Sequence, residues 1–353
     1  MATTTVKDGL CTLDAGNGIV ARVAEVGATL LDLQVPDRNG RIGSVVLGLD
    51  DVAAYASQSA FLGAIVGRVA NRIRDARFAL DGTTYRLEAN DPPHHLHGGS
   101  RGWHRARWRM EPAPCPDGAA VALTLVSPDG DAGYPGTVTA RVVYALTPAG
   151  ALRIEMEATT DRATPVAMAP HAYFNLAGAG TVLDHRLTVL ADSTTPGDPI
   201  VPTGAVVPVE GTPFDFRRGA PVLPDLDTNF VVSGDGYRSD GNPERVPWTS
   251  RDGSAGQSPA PPTRLVARLA DPRSGRTMEV HSDQPGLQVY AGRYLDGSTS
   301  GRGFRHQRHA GICLETQAFP DAINVPAWQH QVVLRPGQRY QHRMAYVFAT
   351  TDA

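Results

Sequence analysis

Apolar and polar side chains alternate along most of this chain with a period of two residues. In Leu152-Arg-Ile-Glu-Met-Glu-Ala158 the alternation is unbroken, as a strand with one buried face requires. Residues 137–146 are rich in Val, Thr and Tyr, and TPAG at 147–150 separates them from that strand, so the two segments predict a hairpin. A second hairpin is predicted in RFALDGTTYRL. There Asp81-Gly82 stands between Phe78/Leu80 and Tyr85/Leu87, and that dipeptide suits the positive φ angles of a two-residue turn. Further strands are expected at 18–33, 43–49, 121–127, 185–191, 264–270, 276–283, 287–291, 310–316, 330–335 and 341–349. Residues 50–58 read as one short helix, and no long stretch carries a 3.6-residue period. Strands this frequent, punctuated by 37 glycines and 28 prolines, predict an all-β fold: a large antiparallel β-sandwich. One segment breaks the pattern. Residues 233–263 are polar and rich in Gly, Ser and Pro, with little to bury. Strand patterns resume beyond them, so they are expected to be a mobile loop inserted into a single domain spanning 1–353.

Composition narrows the function classes. The chain has 353 residues, 41% hydrophobic and 20% charged, which is enough to form a core without disulfides or bound metal. A net charge of −3 with no basic block argues against nucleic acid as a partner. The cations are almost all Arg, so a single Arg says little about a phosphate site. Cys11, Cys115 and Cys313 have no metal-type or paired spacing. No charged-then-apolar leader opens the chain and no apolar run approaches about 18 residues, so neither secretion nor membrane insertion is expected. The cytoplasm is the expected compartment.

Candidate chemistry gathers in four stretches: GRVANRI (67–73), HHLHGG (94–99), PHAYFNLAG (170–178) and CLETQAFPDAINVP (313–326). Strand spacing would put His95 and His97 on one face, a pattern metals use, but no third ligand is indicated. For His94 and His104 the plainer reading is preferred: one or two surface imidazoles and one satisfied core histidine. His171 sits among apolar and aromatic neighbours. Glu315 is the more demanding residue, because a carboxylate in a run that otherwise reads as core must be paired, hydrogen-bonded or functional. Alternation puts Ile312 and Leu314 on one face and Cys313 and Glu315 on the other. A base on a rigid strand fits this placement, and so does a buried ion pair with Arg72. One His and one Glu away from water suit proton transfer on a polar substrate. Asn71, Arg72, His97 and Tyr173 could then hold hydroxyl groups, with aromatic faces for a sugar.

The ordered set of motifs resembles the aldose 1-epimerase (galactose mutarotase) family. It comprises LGAIVGRVANRI at 62–73, F-x-L-D-G-x-x-Y-x-L at 78–87, HLHGG at 95–99 with GWHRARW at 102–108, and HAYFNLAG at 171–178. FDFR at 214–217, QPGLQVYAGRYLDG at 284–297 and CLETQAFPDAINVP complete it. The resemblance runs from about residue 18 to the end. It implies a one-domain supersandwich, without metal or cofactor, that interconverts the α and β anomers of free aldoses such as glucose or galactose; a monomer or homodimer is expected. By the same resemblance His171 is the catalytic acid and Glu315 the base, while Asn71, Arg72, His97, Tyr173, Asp227 and Gln288 bind substrate. Two departures stand out. The family's Asp-His-Asn-Phe-like run reads Asp-Thr-Asn-Phe at 227–230, after a shortened interval from FDFR. Gln284 also competes with Gln288, although Gln288 suits the spacing to Glu315 better. Ordinary values of about 4.3 for Glu and about 6.5 for His would leave Glu315 ionised and His171 protonated between them.

The alternatives are a hexose-phosphate mutarotase, a carbohydrate hydrolase or lyase, and a non-catalytic sugar-binding module. A hydrolase needs a second carboxylate across the scissile bond, for which Asp227 and Asp321 are the candidates.

Overall fold

The computed structural model describes residues 1–198, 200–232 and 263–351. Three antiparallel sheets dominate these residues. In order across it, the largest sheet contains Arg109–Ala113, Ala119–Ser127, Val138–Leu146, Ala151–Thr160, Tyr340–Thr350, Arg276–Ser282, Arg264–Ala270, Arg186–Val189 and Ala220–Pro221. A second sheet runs Tyr173–Phe174, Ile312–Gln317, Gly286–Tyr290, Asp227–Val231, Ser193–Thr195, Val207–Pro208. The third is a meander from Thr3–Lys7 to Ile42–Ser44. The only helical segments among the described residues are short 3-10 turns, so none is long and apolar enough to cross a membrane.

The alternation seen in the sequence becomes the core. Val142, Tyr144, Ile154, Met156, Val280 and Tyr346 from the largest sheet pack in one cluster with Ile312, Leu314, Leu287 and Val289 from the second and Leu13, Val23 and Leu33 from the third. Each such side chain contributes about 1.5–3 kcal/mol on burial. The second sheet is unusual in being covered on both sides. All six residues of Ile312–Gln317 are buried, as are all five of Gly286–Tyr290. One face lies on the common core, and the other carries the polar residues described below.

Several expectations shift in register. The 18–33 strand is two strands, Val20–Ala24 and Thr29–Pro36, because the chain turns at Gly27 (φ 68°), where a Cβ would meet His104 O at 2.4 Å. The 330–335 strand shrinks to Val333–Leu334 after a 3-10 turn at Gln329–Gln331, whose buried Gln331 accepts the Phe319 N–H at 2.9 Å. The helix at 50–58 is a 3-10 turn, Val52–Ala56, capped by Asp51. A hairpin at Thr3–Lys7 and Leu10–Asp14 was not expected. The predicted hairpin pairs Arg77–Leu80 with Thr83–Arg86 around Asp81 and Gly82, both at positive φ. The proposed insertion lies outside the described residues except for Thr263.

Arg68 ties the site-bearing loop to the large sheet. It is 2% exposed, and its guanidinium donates to Pro135 O (2.8 Å), Gly136 O (3.0 Å), Ser127 Oγ (2.6 Å) and Thr164 Oγ1 (3.2 Å). Replacing it leaves those buried acceptors without donors. Arg68→Ala is expected to lower stability by at least about 3 kcal/mol, read as a lowered denaturation midpoint at unchanged m-value.

Candidate active site

Strand register assembles one wall of the site. Tyr173, Cys313, Tyr290 and Asp227 are directly opposite one another across four neighbouring strands. Two residues further on, Glu315, Gln288 and Asn229 form the next row on the same face. Gln288 therefore stands beside Glu315, while Gln284 bonds Asp283 at 2.9 Å outside these rows. The Gln288 amide donates to Asp227 Oδ1 at 2.7 Å, and Asp227 Oδ2 is 3.9 Å from the Arg293 guanidinium. Despite the shortened interval before it, Asp227 sits on the same wall as Glu315.

The facing side comes from 61–73, 94–104 and 169–171. Ala169–Pro170 pairs with Ile65–Val66, and the His171 N–H donates to Ala64 O at 2.8 Å. This backbone pairing aims the His171 ring at the sheet. Its Nε2 lies 3.8 Å from Glu315 Oε1, and its Nδ1 is 3.5 Å from Cys313 Sγ. Glu315 Oε2 has no hydrogen-bond partner among the described residues. Glu315 is thus paired with His171; Arg72, the partner considered from sequence, is held instead by Asp91, which accepts from its Nε at 2.7 Å.

Asn71 and His97 both have left-handed backbones (φ 62° and 50°). The Asn71 N–H donates to His97 Nδ1 at 3.1 Å, and the Arg72 N–H donates to Asn71 Oδ1 at 2.8 Å. Asn71 is therefore partly a scaffold, with only its NH2 group to offer a ligand. The His97 kink also separates the two rings expected on one face. His95 turns to Glu88 O (2.6 Å) and packs on Tyr134, while His97 faces His171 at a ring distance of 5.2 Å. His94 accepts the Asp75 N–H at 3.2 Å, a structural role. Neither His94 nor His104 is at the surface, with 8% and 3% exposed. Asp321 accepts the Arg74 N–H at 3.0 Å and the Asn324 amide at 2.8 Å, so it braces a turn rather than facing Glu315.

Donor atoms of His97, His171 and Glu315 lie within 4.8 Å of one another, which raises a metal site again. The donor set fits poorly. Because His97 Nδ1 accepts a backbone N–H, its neutral ring carries the proton on Nε2. That atom is a hydrogen-bond donor suited to a sugar oxygen, and ligating a metal would require giving up the Asn71 bond.

Burial sets the electrostatics. It pushes His171 down to about 4; a hydrogen bond to its own backbone opposes the shift and His104 adds to it. Burial also pushes Glu315 well above the usual carboxylate range, Asp227 reinforces this, and Arg72 opposes it. His97 is driven well below its ordinary value by burial, then by His171 and Arg72. The ion pair expected from ordinary values is thus disfavoured; both members tend towards their uncharged forms.

A buried His–Glu pair flanked by side-chain hydrogen-bond donors on an antiparallel β-sandwich is an arrangement suited to proton transfer on a polar substrate. The sequence model for the family described as "Aldose 1-epimerase" matches residues 9–347. Among characterised proteins, the chain is 39% identical to galactose mutarotase of Bos taurus over 329 residues, 92% of this chain and 89% of the relative. It is 33% identical to aldose 1-epimerase of Escherichia coli K12 over 343 residues, covering 96% and 94%. Among solved structures, the GalM/aldose epimerase homologue from C. elegans superposes with a TM-score of 0.83 at 29% identity over the whole of both chains. Galactose 1-epimerase from Lactobacillus acidophilus gives 0.79 at 25% identity, covering 100% and 99%. The chain belongs to the aldose 1-epimerase family. It is an isomerase with aldose 1-epimerase (mutarotase) activity, and a monosaccharide is its implied substrate.

Asp91 escaped the sequence reading because it lies outside the conspicuous motifs, although NDPPHH places it close before the histidines. Its carboxylate is one-third exposed, so its own contribution to stability is small. Asp91→Ala is expected to lower kcat/KM about tenfold or more by freeing Arg72, with Tm nearly unchanged; wild-type kinetics would show that Arg72 needs no such anchor.

Proposed function

We propose that Glu315 and His171 exchange protons with O1 and O5 of an aldopyranose, and that one proton shared by the pair is the working charge. The observation that carries this reading is the buried 3.8 Å contact between His171 Nε2 and Glu315 Oε1, with one carboxylate oxygen left free of partners. When sugar hydroxyls enter, they provide the polar surroundings that let the proton move to His171. Glu315 then removes the O1 proton as the C1–O5 bond breaks, and C1 becomes a carbonyl. The electron pair leaves with O5, which takes the proton from His171 Nε2.

At this open-chain stage the pair consists of carboxylic acid and neutral imidazole. Those are the forms burial favours, so the dry site stabilises the intermediate relative to the charged start. Rotation about C1–C2 presents the other carbonyl face. Reclosure returns the O5 proton to His171 and the Glu315 proton to O1, giving the other anomer. Each positioned group contributes roughly 10²–10⁴ in rate. His97 Nε2–H, Arg72 and the Asn71 NH2 group stand as donors for ring and hydroxyl oxygens. Gln288 and Asp227, already bonded to each other, offer the complementary polar edge. Tyr173 remains an un-ionised phenol, raised well above its ordinary range mainly by burial.

We infer that the protein acts on free glucose and galactose, as a monomer or homodimer in the cytoplasm. A single domain is inferred because the largest apolar cluster among the described residues draws on all three sheets.

Glu315→Gln and His171→Asn are each expected to slow the approach of fresh α-D-galactose or α-D-glucose to its equilibrium rotation at least a hundredfold in kcat. Near-wild-type turnover by either variant would sink the assignment. The pH profile tests the shared proton separately. Below about 4 His171 gains a proton while Glu315 keeps its own, and the pair holds one too many. On the alkaline side the pair loses its only proton as pH passes the raised Glu315 value. kcat/KM should therefore be bell-shaped, with an acid limb near 4 and an alkaline limb above the ordinary carboxylate range of about 4.3. An acid limb near 6.5, the value of a solvated histidine, would contradict it.

A further inference from the structure

Sugar sites usually present an aromatic face to the C–H side of the ring. In the sequence Tyr173 looked suited to this, but it is 3% exposed and Tyr290 is 9% exposed. Tyr294 is exposed, but it stacks on Tyr290, and the Arg293 guanidinium lies 4.7 Å from its ring centre. Phe61 differs from all three. It is half-buried, and its ring centre lies 4.6 Å from that of His97, 4.7 Å from His104 and 5.6 Å from His171. It is a part-exposed aromatic ring packed against His171 and against two further imidazoles, those of His97 and His104.

Its placement is enforced by the backbone. Phe61 has φ 57°, a left-handed conformation that side-chain-bearing residues adopt at a cost and that clusters at functional sites. Two residues on, Gly63 accepts the Leu30 N–H (2.9 Å) and donates to His171 O (3.0 Å), and a Cβ there would lie 2.1 Å from Leu30 O. The Leu62 N–H donates to the buried Gln58 side chain at 3.3 Å, and the Ala64 N–H to Phe61 O at 3.1 Å. The loop is thus fixed to the same backbone that fixes His171, so the ring and the acid keep a constant relation.

We propose that Phe61 is a substrate-contacting residue, its ring forming the apolar wall against which the C–H face of the aldopyranose packs. The inference rests on the mutarotase reading of the His171–Glu315 site. A contact of this kind forms with the bound sugar and persists through ring opening, so it acts on KM more than on kcat.

Phe61→Leu keeps apolar bulk over the imidazoles but removes the aromatic face. It is expected to raise KM for galactose about three- to tenfold, with kcat and the acid limb of the pH profile staying near wild type. Phe61→Ala should raise KM more, and Phe61→Tyr should restore the wild-type value. Thermal melts establish that each variant is folded. Wild-type KM in Phe61→Leu would overturn the proposal, as would a loss confined to kcat with a shifted acid limb, which marks a residue that only shields the histidines. Equilibrium dialysis with labelled galactose reads the same contact without turnover. If the wild-type protein failed to accelerate mutarotation at all, the reading of the site would fail; weakened dialysis binding in Phe61→Leu would still uphold the wall, and unchanged binding would overturn it.

Discussion

The exclusion of water from the His171–Glu315 pair is the constraint on which the rest of the molecule depends. Covering a sheet on both faces normally calls for apolar residues on both, yet here one face carries Glu315, Gln288, Asn229 and Asp227. An isolated charge in that position would be prohibitively unfavourable. Burial favours the uncharged form of each member of the pair, so neither leaves an isolated charge there. The same desolvation that burdens the fold lowers the proton affinity of His171 and raises that of Glu315.

Holding such a pair requires rigidity from parts of the chain remote in sequence. Glu315 and Gln288 are fixed by antiparallel register on a sheet whose opposite face lies in the common core. His171 is fixed by pairing with 64–66, and that segment is anchored through Arg68 to carbonyls at the end of the large sheet. Three side-chain-bearing residues around the pocket, Phe61, Asn71 and His97, adopt left-handed backbones. Each such conformation is unfavourable by about 1–3 kcal/mol. On the side of the site opposite the sheet, packing energy from the core is what holds these angles. That side is made of loops that could not hold these angles alone.

By itself the sequence determined the strand alternation, the Asp81-Gly82 turn, the all-β class, and the two faces of 312–315. These depend on local periodicity and turn chemistry, which neighbours a few residues away settle. The carboxylate in an apolar run also announced itself, because burial of Glu is anomalous whatever surrounds it. The resemblance of the ordered motifs carried the reaction class for the same reason: the reacting groups lie in short continuous stretches.

Other features were decided only by tertiary structure. The split of 18–33 depends on how closely His104 approaches Gly27. The shared face suggested for His95 and His97 fails because His97 turns left-handed to accept the Asn71 N–H. Asp91 became visible only when Arg72 was seen to bond it, and Phe61 only when three imidazoles from two segments surrounded one ring. The direction of both proton affinities was likewise hidden, since ordinary values describe groups in water. Desolvation is a property of everything packed around a group, and only the assembled fold specifies it.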